Sequence, residues 1–139
     1  MTAGFDLSHP QAQAIRSDED VVRVRQLVRT VAVAARLSLV DQTKVVTAAS
    51  ELARNTLVYG GGGTAEVTSV DNGLRRGVRI VFADEGPGIA DLDLALTDGY
   101  TTGGGLGLGL SGTRRLVDEF DIDTGPGRGT RITITKWSR

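Results

Sequence analysis

Glu51 and Asn55 are two side chains whose types and spacing could do chemistry together. They lie four residues apart in a segment with helical periodicity, so both project from the same face of the predicted helix. The amide oxygen of Asn55 is a suitable magnesium ligand, and the Glu51 carboxylate can accept a proton from a water or a hydroxyl group. Glu and Asn are also common on solvated helix faces, so further observations are needed to define a site.

Asp84 is a second candidate, because it ends a predicted strand and precedes Gly86, Gly88 and Ile89. A carboxylate at a strand end can accept a hydrogen bond from an adenine amino group. The glycines would let the backbone pass close to a flat ligand. The alternative is an ordinary strand-to-loop turn, in which Asp, Gly and Pro are all frequent.

A glycine-rich segment is the third candidate and leads into a predicted helix. It comprises Thr102, Gly103, Gly104, Gly105, Leu106, Gly107, Leu108 and Gly109. Backbone N–H groups at a helix entry of this kind bind phosphate oxygens. No Gly-Lys-Ser/Thr follows, which excludes a Walker motif, and no βαβ unit surrounds the segment, which excludes a Rossmann fingerprint. The leucines that alternate with the glycines need burial, which argues against a flexible linker.

The composition is that of one ordinary globular domain, which we place over residues 1–139. The 16 basic and 17 acidic side chains give a net charge of −1, so the chain lacks the basic footprint of a nucleic-acid-binding protein. The absence of Cys excludes disulfides and thiolate sites. No apolar run is long enough to span a membrane and no secretory signal is evident. We therefore expect a cytoplasmic protein without nucleic-acid or membrane partners.

Five strands and three helices are predicted to position these residues. The strands cover residues 11–15, 64–70, 76–84, 120–123 and 130–137. The helices run from an N-cap at Ser17 to about Arg36, from a cap at Asp41 to about Tyr59, and over residues 108–120. The pattern predicts an α+β two-layer sandwich, with about three helices on one face of a mixed, mostly antiparallel sheet.

The order of the three candidate segments resembles the N, G1 and G2 boxes of the GHKL superfamily, which has the Bergerat ATP-binding fold. The resemblance implies ATP and a magnesium ion as cofactors, with Asn55 holding the metal and Glu51 acting as general base. It also implies that Asp84 bonds the adenine amino group and that Thr130 supports the adenine site. The glycines of both boxes would shape the pocket and its lid.

Longer segments resemble the RsbT-type switch kinases, bacterial serine/threonine kinases of a stress-signalling complex called the stressosome. These segments are residues 51–55, 84–89, 98–107, 115–120 and the terminal Lys136-Trp137. The resemblance implies an ATP-dependent protein-serine/threonine kinase whose substrates are STAS-domain proteins. It also implies that the kinase then binds and activates a PPM-class serine phosphatase.

Two other functions remain open. An anti-sigma factor with serine kinase activity has the same fold, but such proteins usually carry a His soon after the N-box Asn. This chain has Thr56-Leu57-Val58-Tyr59-Gly60 there. A non-catalytic, nucleotide-regulated binding module is the other alternative, and the presence of both Glu51 and Asn55 argues against it.

Several residues outside the motifs are further candidates. The glycine-rich lid carries no Lys, so Arg54 and Arg114 are candidates for the countercharge to the phosphates. The outward arginines of the first helix are candidates for a partner-binding face, although charged helix faces are usually just solvated. Trp137 is expected to anchor the core or an edge strand.

Overall fold

A computed structural model describes residues 9–89, 96 and 109–139 of the chain. Its sheet has five strands, β1 (Gln11–Ile15), β2 (Gly63–Asp71), β3 (Arg76–Asp84), β4 (Glu119–Thr124) and β5 (Thr130–Trp137). They lie in the order β1-β2-β3-β5-β4, and each neighbouring pair in that order is antiparallel. The helices are α1 (Asp18–Ala34), α2 (Leu39–Val58) and α3 (Leu110–Leu116).

The observed elements confirm the predicted α+β class and most of the predicted segments. β1, β3 and β5 have the predicted bounds. Among the described elements, α1 and α2 pack on the sheet, and α3 packs against α2. Within the described part of the chain, no helix combines the length and the apolar character that a membrane crossing requires.

The core lies between the helices and one face of the sheet. Side chains alternate along each strand, so every second residue of β3 enters this layer, as Val78, Ile80 and Phe82 do. The apolar stripe of α2 is buried against them: Val45, Ala49, Leu52, Ala53 and Thr56. Burial of this stripe sets the rotation of α2 about its axis, and therefore the direction in which its other side chains project.

The start of α2 differs from the prediction. Ser38, not Asp41, is the N-cap, and its hydroxyl accepts a hydrogen bond from the Asp41 N–H at 3.1 Å. Asp41 lies in the first turn of the helix, where its buried carboxylate faces Lys136 of β5 at 3.6 Å. The predicted cap at Asp41 was wrong because the Asp41 carboxylate pairs with Lys136, which is nearly a hundred residues away in the chain.

Helix α3 is also shorter than the predicted segment of residues 108–120. It ends at Leu116, because Val117 has an extended backbone and the chain enters β4 at Glu119. Asp118 is fixed in this connection by the backbone, since its N–H donates to the Thr135 carbonyl at 2.9 Å. The predicted helix was therefore too long at its C-terminal end because a sheet contact of Asp118 terminates it.

The register of the sheet determines what surrounds the end of β3. Asp84 is paired with Gly63 of β2 on one side and with Thr130 of β5 on the other. Residues paired across antiparallel strands project to the same face of the sheet with Cβ atoms about 5 Å apart. Asp84 and Thr130 are therefore neighbours on the helix-covered face, although 46 positions separate them in the chain.

Candidate active site

Asp84 is half-buried at the end of β3 and is positioned by the loop that follows it. The N–H of Gly86 donates to Asp84 Oδ1 at 2.9 Å, which fixes the carboxylate relative to the strand. A cavity of about 400 Å³ borders this carboxylate, between the glycine turn of residues 60–63 and the ends of β2 and β3. Asp84 thus presents an acceptor to open volume.

Gly60, in the turn after α2, lies directly against Asp84. A Cβ atom on Gly60 would overlap the carboxyl carbon of Asp84, so residue 60 must be glycine for the carboxylate to occupy this position. The N–H of Gly60 donates to the carbonyl of Asn55 at 3.2 Å. One short turn thus joins the helix that carries Asn55 to the carboxylate at the strand end. The local sequence predicts that the helix ends near Tyr59, but it does not indicate this contact of Gly60.

The loop after Asp84 is held by the turn that joins β4 to β5. The Gly127 N–H donates to the Pro87 carbonyl at 2.7 Å. The Ile89 N–H donates to the Thr124 hydroxyl at 2.9 Å. Between these two bonds, Gly88 lies against this turn, where a Cβ atom would meet the carbonyl of residue 125. The predicted residues Gly86, Gly88 and Ile89 therefore have a defined path beside Asp84.

Thr124 was not singled out in the sequence, yet it connects three parts of this end of the site. Its hydroxyl accepts from Ile89, donates to the Gly129 carbonyl at 3.0 Å, and lies 2.9 Å from the hydroxyl of Thr130. Thr130 is half-buried beside Asp84. A Thr directly before a Gly-Pro-Gly turn was the one signal that could have identified Thr124.

Glu51 and Asn55 form the other end of the site, one helical turn apart on α2 and both half-buried. The start of α3 covers Glu51, since a Cβ atom on Gly109 would lie 2.5 Å from Glu51 Oε1. Gly109 also has φ 67°, in the left-handed region that favours glycine. The close approach and the backbone angle both require glycine at this helix entry. Of the glycine-rich segment, Gly109 is therefore placed beside the predicted general base.

The oxygen donors on α2 suit a magnesium ion that is shared with phosphate groups. Mg²⁺ is usually held by one or two protein oxygens together with phosphates and water. In residues 9–89, 96 and 109–139, no three His, Cys, Asp or Glu side chains are grouped as metal ligands. The Asn55 amide oxygen, beside the Glu51 carboxylate, fits a site completed by a nucleotide better than a metal cage built by protein alone.

The described structure does not bring the other predicted site residues to the site. Thr102, Gly103, Gly104, Gly105, Leu106, Gly107 and Leu108 lie outside the described residues. Arg54 and Arg114, the candidates for phosphate countercharge, are both exposed. Their assignment stays a prediction.

A buried ion cluster supports the helices at the far end of α2. The Lys136 ammonium lies 3.6 Å from Asp41 and 3.7 Å from Asp118, and its side chain is only 5% exposed. Lys136 thereby joins the start of α2 to the connection between α3 and β4. The alternation of β5 could have placed Lys136 on the core face with Ile132 and Ile134, but not its partners.

Asp118 has a lowered pKa within this cluster. Its burial raises the pKa, but the Trp137 N–H, the Lys136 charge and the Arg139 guanidinium together lower it by more. The Trp137 N–H donates to Asp118 Oδ2 at 2.7 Å, and the Trp137 indole N–H donates to Glu119 at 2.6 Å. Trp137 therefore anchors the end of β5 to the start of β4.

Comparison with known proteins agrees with this geometry. Residues 40–138 match the family described as histidine kinase-, DNA gyrase B-, and HSP90-like ATPase. The chain is 43% identical over 125 residues to "Serine/threonine-protein kinase RsbT" of Bacillus subtilis (strain 168), covering 90% of this chain and 94% of that protein. It is 31% identical over 116 residues to "Anti-sigma F factor" of Clostridium novyi (strain NT), covering 76% and 81%.

Among solved structures, the fold is similar to the RsbU and RsbW domains of Rv1364c from Mycobacterium tuberculosis. The TM-score is 0.63 at 22% identity, covering 94% of this chain and 33% of that one. The family match over residues 40–138 includes Glu51, Asn55, Asp84 and α3. The chain therefore belongs to the histidine kinase-, DNA gyrase B- and HSP90-like ATPase family, among its RsbT-type serine/threonine kinases.

Proposed function

We propose that this protein is a switch kinase that transfers the ATP γ-phosphate to a Ser or Thr of a STAS-domain protein and then binds and activates a PPM-class phosphatase. The observation that carries the proposal is the placement of Glu51 and Asn55. They are half-buried side by side on α2, with the α3 entry at Gly109 against Glu51. A pure docking surface needs neither a sheltered carboxylate nor a sheltered carboxamide.

The base of ATP would bind at the end of β3. The Asp84 carboxylate accepts a hydrogen bond from the adenine amino group, and the path of Gly86 and Gly88 leaves room for a flat ring. The bonds from Gly127 to Pro87 and from Ile89 to Thr124 hold this path in place before the nucleotide arrives. Pre-organisation of this kind lowers the entropic cost of binding.

The phosphates would lie toward α2 and the entry of α3. Asn55 would hold a magnesium ion there, which supplies charge neutralisation on the phosphate oxygens. The residues 102–108 are proposed to cover the phosphates with backbone N–H groups, as the glycine-rich sequence predicts. Arg54 and Arg114 are proposed as additional countercharges.

Glu51 would act on the incoming hydroxyl group. The substrate oxygen forms a bond to the γ-phosphorus while the bond from that phosphorus to the ADP oxygen breaks, and ADP leaves. The proton of the hydroxyl passes to the Glu51 carboxylate, which lies beside Asn55 and so beside the expected metal. Positioning and charge neutralisation provide most of the rate enhancement in this chemistry.

The protein substrate and the phosphatase are inferred from resemblance. The relative with 43% identity is named as a serine/threonine-protein kinase, which supports transfer to a protein hydroxyl. The STAS-domain substrate and the PPM-class partner follow from the RsbT-type motifs in the sequence. ATP occupancy would determine which partner binds, through a coupling between the nucleotide site and the partner site.

An anti-sigma factor with kinase activity is the second candidate, because the chain is also 31% identical to a protein named Anti-sigma F factor. Such proteins usually carry a His soon after the N-box Asn, and residues 56–60 of this chain contain no His. Co-purification with a sigma factor at equal stoichiometry would favour this candidate over the switch kinase.

Calorimetry tests the proposal first. We expect magnesium-dependent ATP binding to the purified protein, and loss of that binding in Asp84→Ala. Asp121→Ala is the matched control, because Asp121 is an exposed carboxylate on β4 that projects to the other sheet face. Transfer of labelled γ-phosphate to STAS-domain proteins is then measured. ATP binding without any transfer would favour a nucleotide-regulated binding module, and absence of binding by the folded protein would overturn the nucleotide site.

A further inference from the structure

Thr124 makes more hydrogen bonds than any other hydroxyl described near Asp84. Its oxygen lies 2.9 Å from the Ile89 nitrogen, 3.0 Å from the Gly129 carbonyl oxygen and 2.9 Å from the Thr130 hydroxyl oxygen. A hydroxyl group has one proton to donate and two lone pairs with which to accept. With these three partners, the Thr124 hydroxyl group forms all the hydrogen bonds that it can make.

The direction of each of these bonds follows from the chemistry of the partners. The Ile89 N–H can only donate, so it occupies one lone pair of Thr124. The Gly129 carbonyl can only accept, so it takes the single proton of Thr124. The bond between the two hydroxyls then forms only if Thr130 donates to the remaining lone pair of Thr124. Gly129 is buried, so leaving its carbonyl without a donor would be costly.

Thr130 is consequently limited in what it can offer a ligand. Its own proton is directed to Thr124, and only its lone pairs remain for another partner. Thr130 is paired in register with Asp84, whose carboxylate is also an acceptor. The end of the site therefore presents two acceptors side by side and no hydroxyl proton from Thr130.

We propose that Thr124 is a specificity-determining residue, which orients the Thr130 hydroxyl so that the site selects a 6-amino purine over a 6-oxo purine. This inference rests on the proposed nucleotide site. An exocyclic amino group has N–H donors for both acceptors. A 6-oxo group brings a third acceptor against them, and the ring N–H beside it can donate to only one of the two, so the other is left unpaired when the ligand is buried. Thr124 acts through Thr130 and does not itself touch the base.

The test compares ATP with ITP, which differ in the base only by the 6-amino or 6-oxo group and the proton on the neighbouring ring nitrogen. The affinity of each nucleotide is measured by calorimetry with magnesium. In Thr124→Val the Thr130 proton is released and can donate to a 6-oxo group. We expect the ratio of ATP to ITP affinity to fall by roughly fivefold, the value of about one neutral hydrogen bond.

Three further variants distinguish an effect on the ratio of ATP to ITP affinity from a general disturbance of the structure. Thr124→Ser keeps the hydroxyl and should retain the wild-type ratio. Thr133→Val makes the same substitution on the opposite face of β5 and should also retain it. Thr130→Val should lower the ratio, and the double variant with Thr124→Val should lower it no further, because both act through one hydroxyl.

The outcomes distinguish this inference from the proposed function. A purely supporting role for Thr124 would weaken ATP and ITP binding equally and leave their ratio unchanged, which would overturn the inference. If the ratio of ATP to ITP affinity fell as far in Thr124→Ser as in Thr124→Val, the inference would also be overturned. If the wild type binds ATP and Asp84→Ala does not, the nucleotide site stands in either case. If the wild type binds no ATP, both the proposed function and this inference fail.

Discussion

Gly60 and the carboxylate of Asp84 are in direct contact, although they belong to a turn after a helix and to the end of a strand. The backbone of Gly86 closes the other side, because a Cβ atom on Gly86 would lie 2.7 Å from the Gly60 Cα. No side chain fits between these segments. The contact therefore sets the position of the proposed adenine-binding carboxylate relative to α2.

Gly60→Ala is predicted to weaken ATP binding. The added methyl group must displace the Asp84 carboxylate, so its hydrogen bond to the base is lost or distorted. A hydrogen bond to a charged group is worth about 1.5–3 kcal/mol, or roughly ten- to hundredfold in affinity. Calorimetric titration measures the effect. Gly112→Ala in α3 is the control, because its Cβ atom would meet nothing within 4 Å. If Gly60→Ala bound ATP with wild-type affinity, the contact with Gly60 would not be what positions the Asp84 carboxylate for binding.

Glu51→Ala is predicted to separate binding from catalysis. Asn55, Asp84 and the base-binding loop are unchanged in this variant, so ATP affinity should stay nearly that of the wild type. Phosphotransfer should fall by about 100- to 10,000-fold, the usual contribution of a general base. Labelled γ-phosphate transfer and calorimetry give the two quantities. Glu66→Ala, an exposed carboxylate on β2, serves as the control. A wild-type rate of phosphotransfer in Glu51→Ala would show that Glu51 is not the general base.

Asp118 is predicted to make stability depend on pH. Its pKa in the folded protein lies below the usual value of 3.8, despite the opposing effect of burial, because the Trp137 N–H, Lys136 and Arg139 favour the charged form. The stability that it contributes is therefore fully present above pH 3.8 and is lost as the pH falls through the folded pKa.

Thermal unfolding of Asp118→Asn measures this contribution. The variant should melt below the wild type at pH 7, and the difference should stay constant down to about pH 3.8 and then shrink as the pH falls through the folded pKa. Asp121→Asn, which changes an exposed carboxylate on the adjoining strand β4, should melt close to the wild type throughout. A difference for Asp118→Asn that stays constant with pH would show that the charge of Asp118 is not what stabilises the fold.

Much of the site could be predicted from the sequence because its elements are defined locally. The alternation of apolar residues in β3 placed Asp84 at the end of a buried strand. The apolar stripe of α2 placed Glu51 and Asn55 together on another face. Both patterns depend on side-chain periodicity within about twenty residues.

The errors were at positions where a distant partner overrides a local preference. Asp41 has the residue type of a helix cap, but its carboxylate is used by Lys136, and Ser38 caps α2 instead. The third helix was predicted to continue to residue 120, whereas the bond from Asp118 to Thr135 ends it earlier. Neither partner is visible in the local sequence.

The sequence by itself determined which residues could act on a nucleotide: Glu51, Asn55, Asp84 and Thr130. Only the tertiary structure decided how they are held. Gly60 meets Asp84, and Thr124 meets Ile89 across 35 positions, because antiparallel pairing and helix packing bring separate turns together. The local sequence does not distinguish a turn glycine or threonine that contacts the site from one that does not. Its role follows from the atoms that approach it, and these are set by the register of β3 with β5 and by the packing of α2 on the sheet.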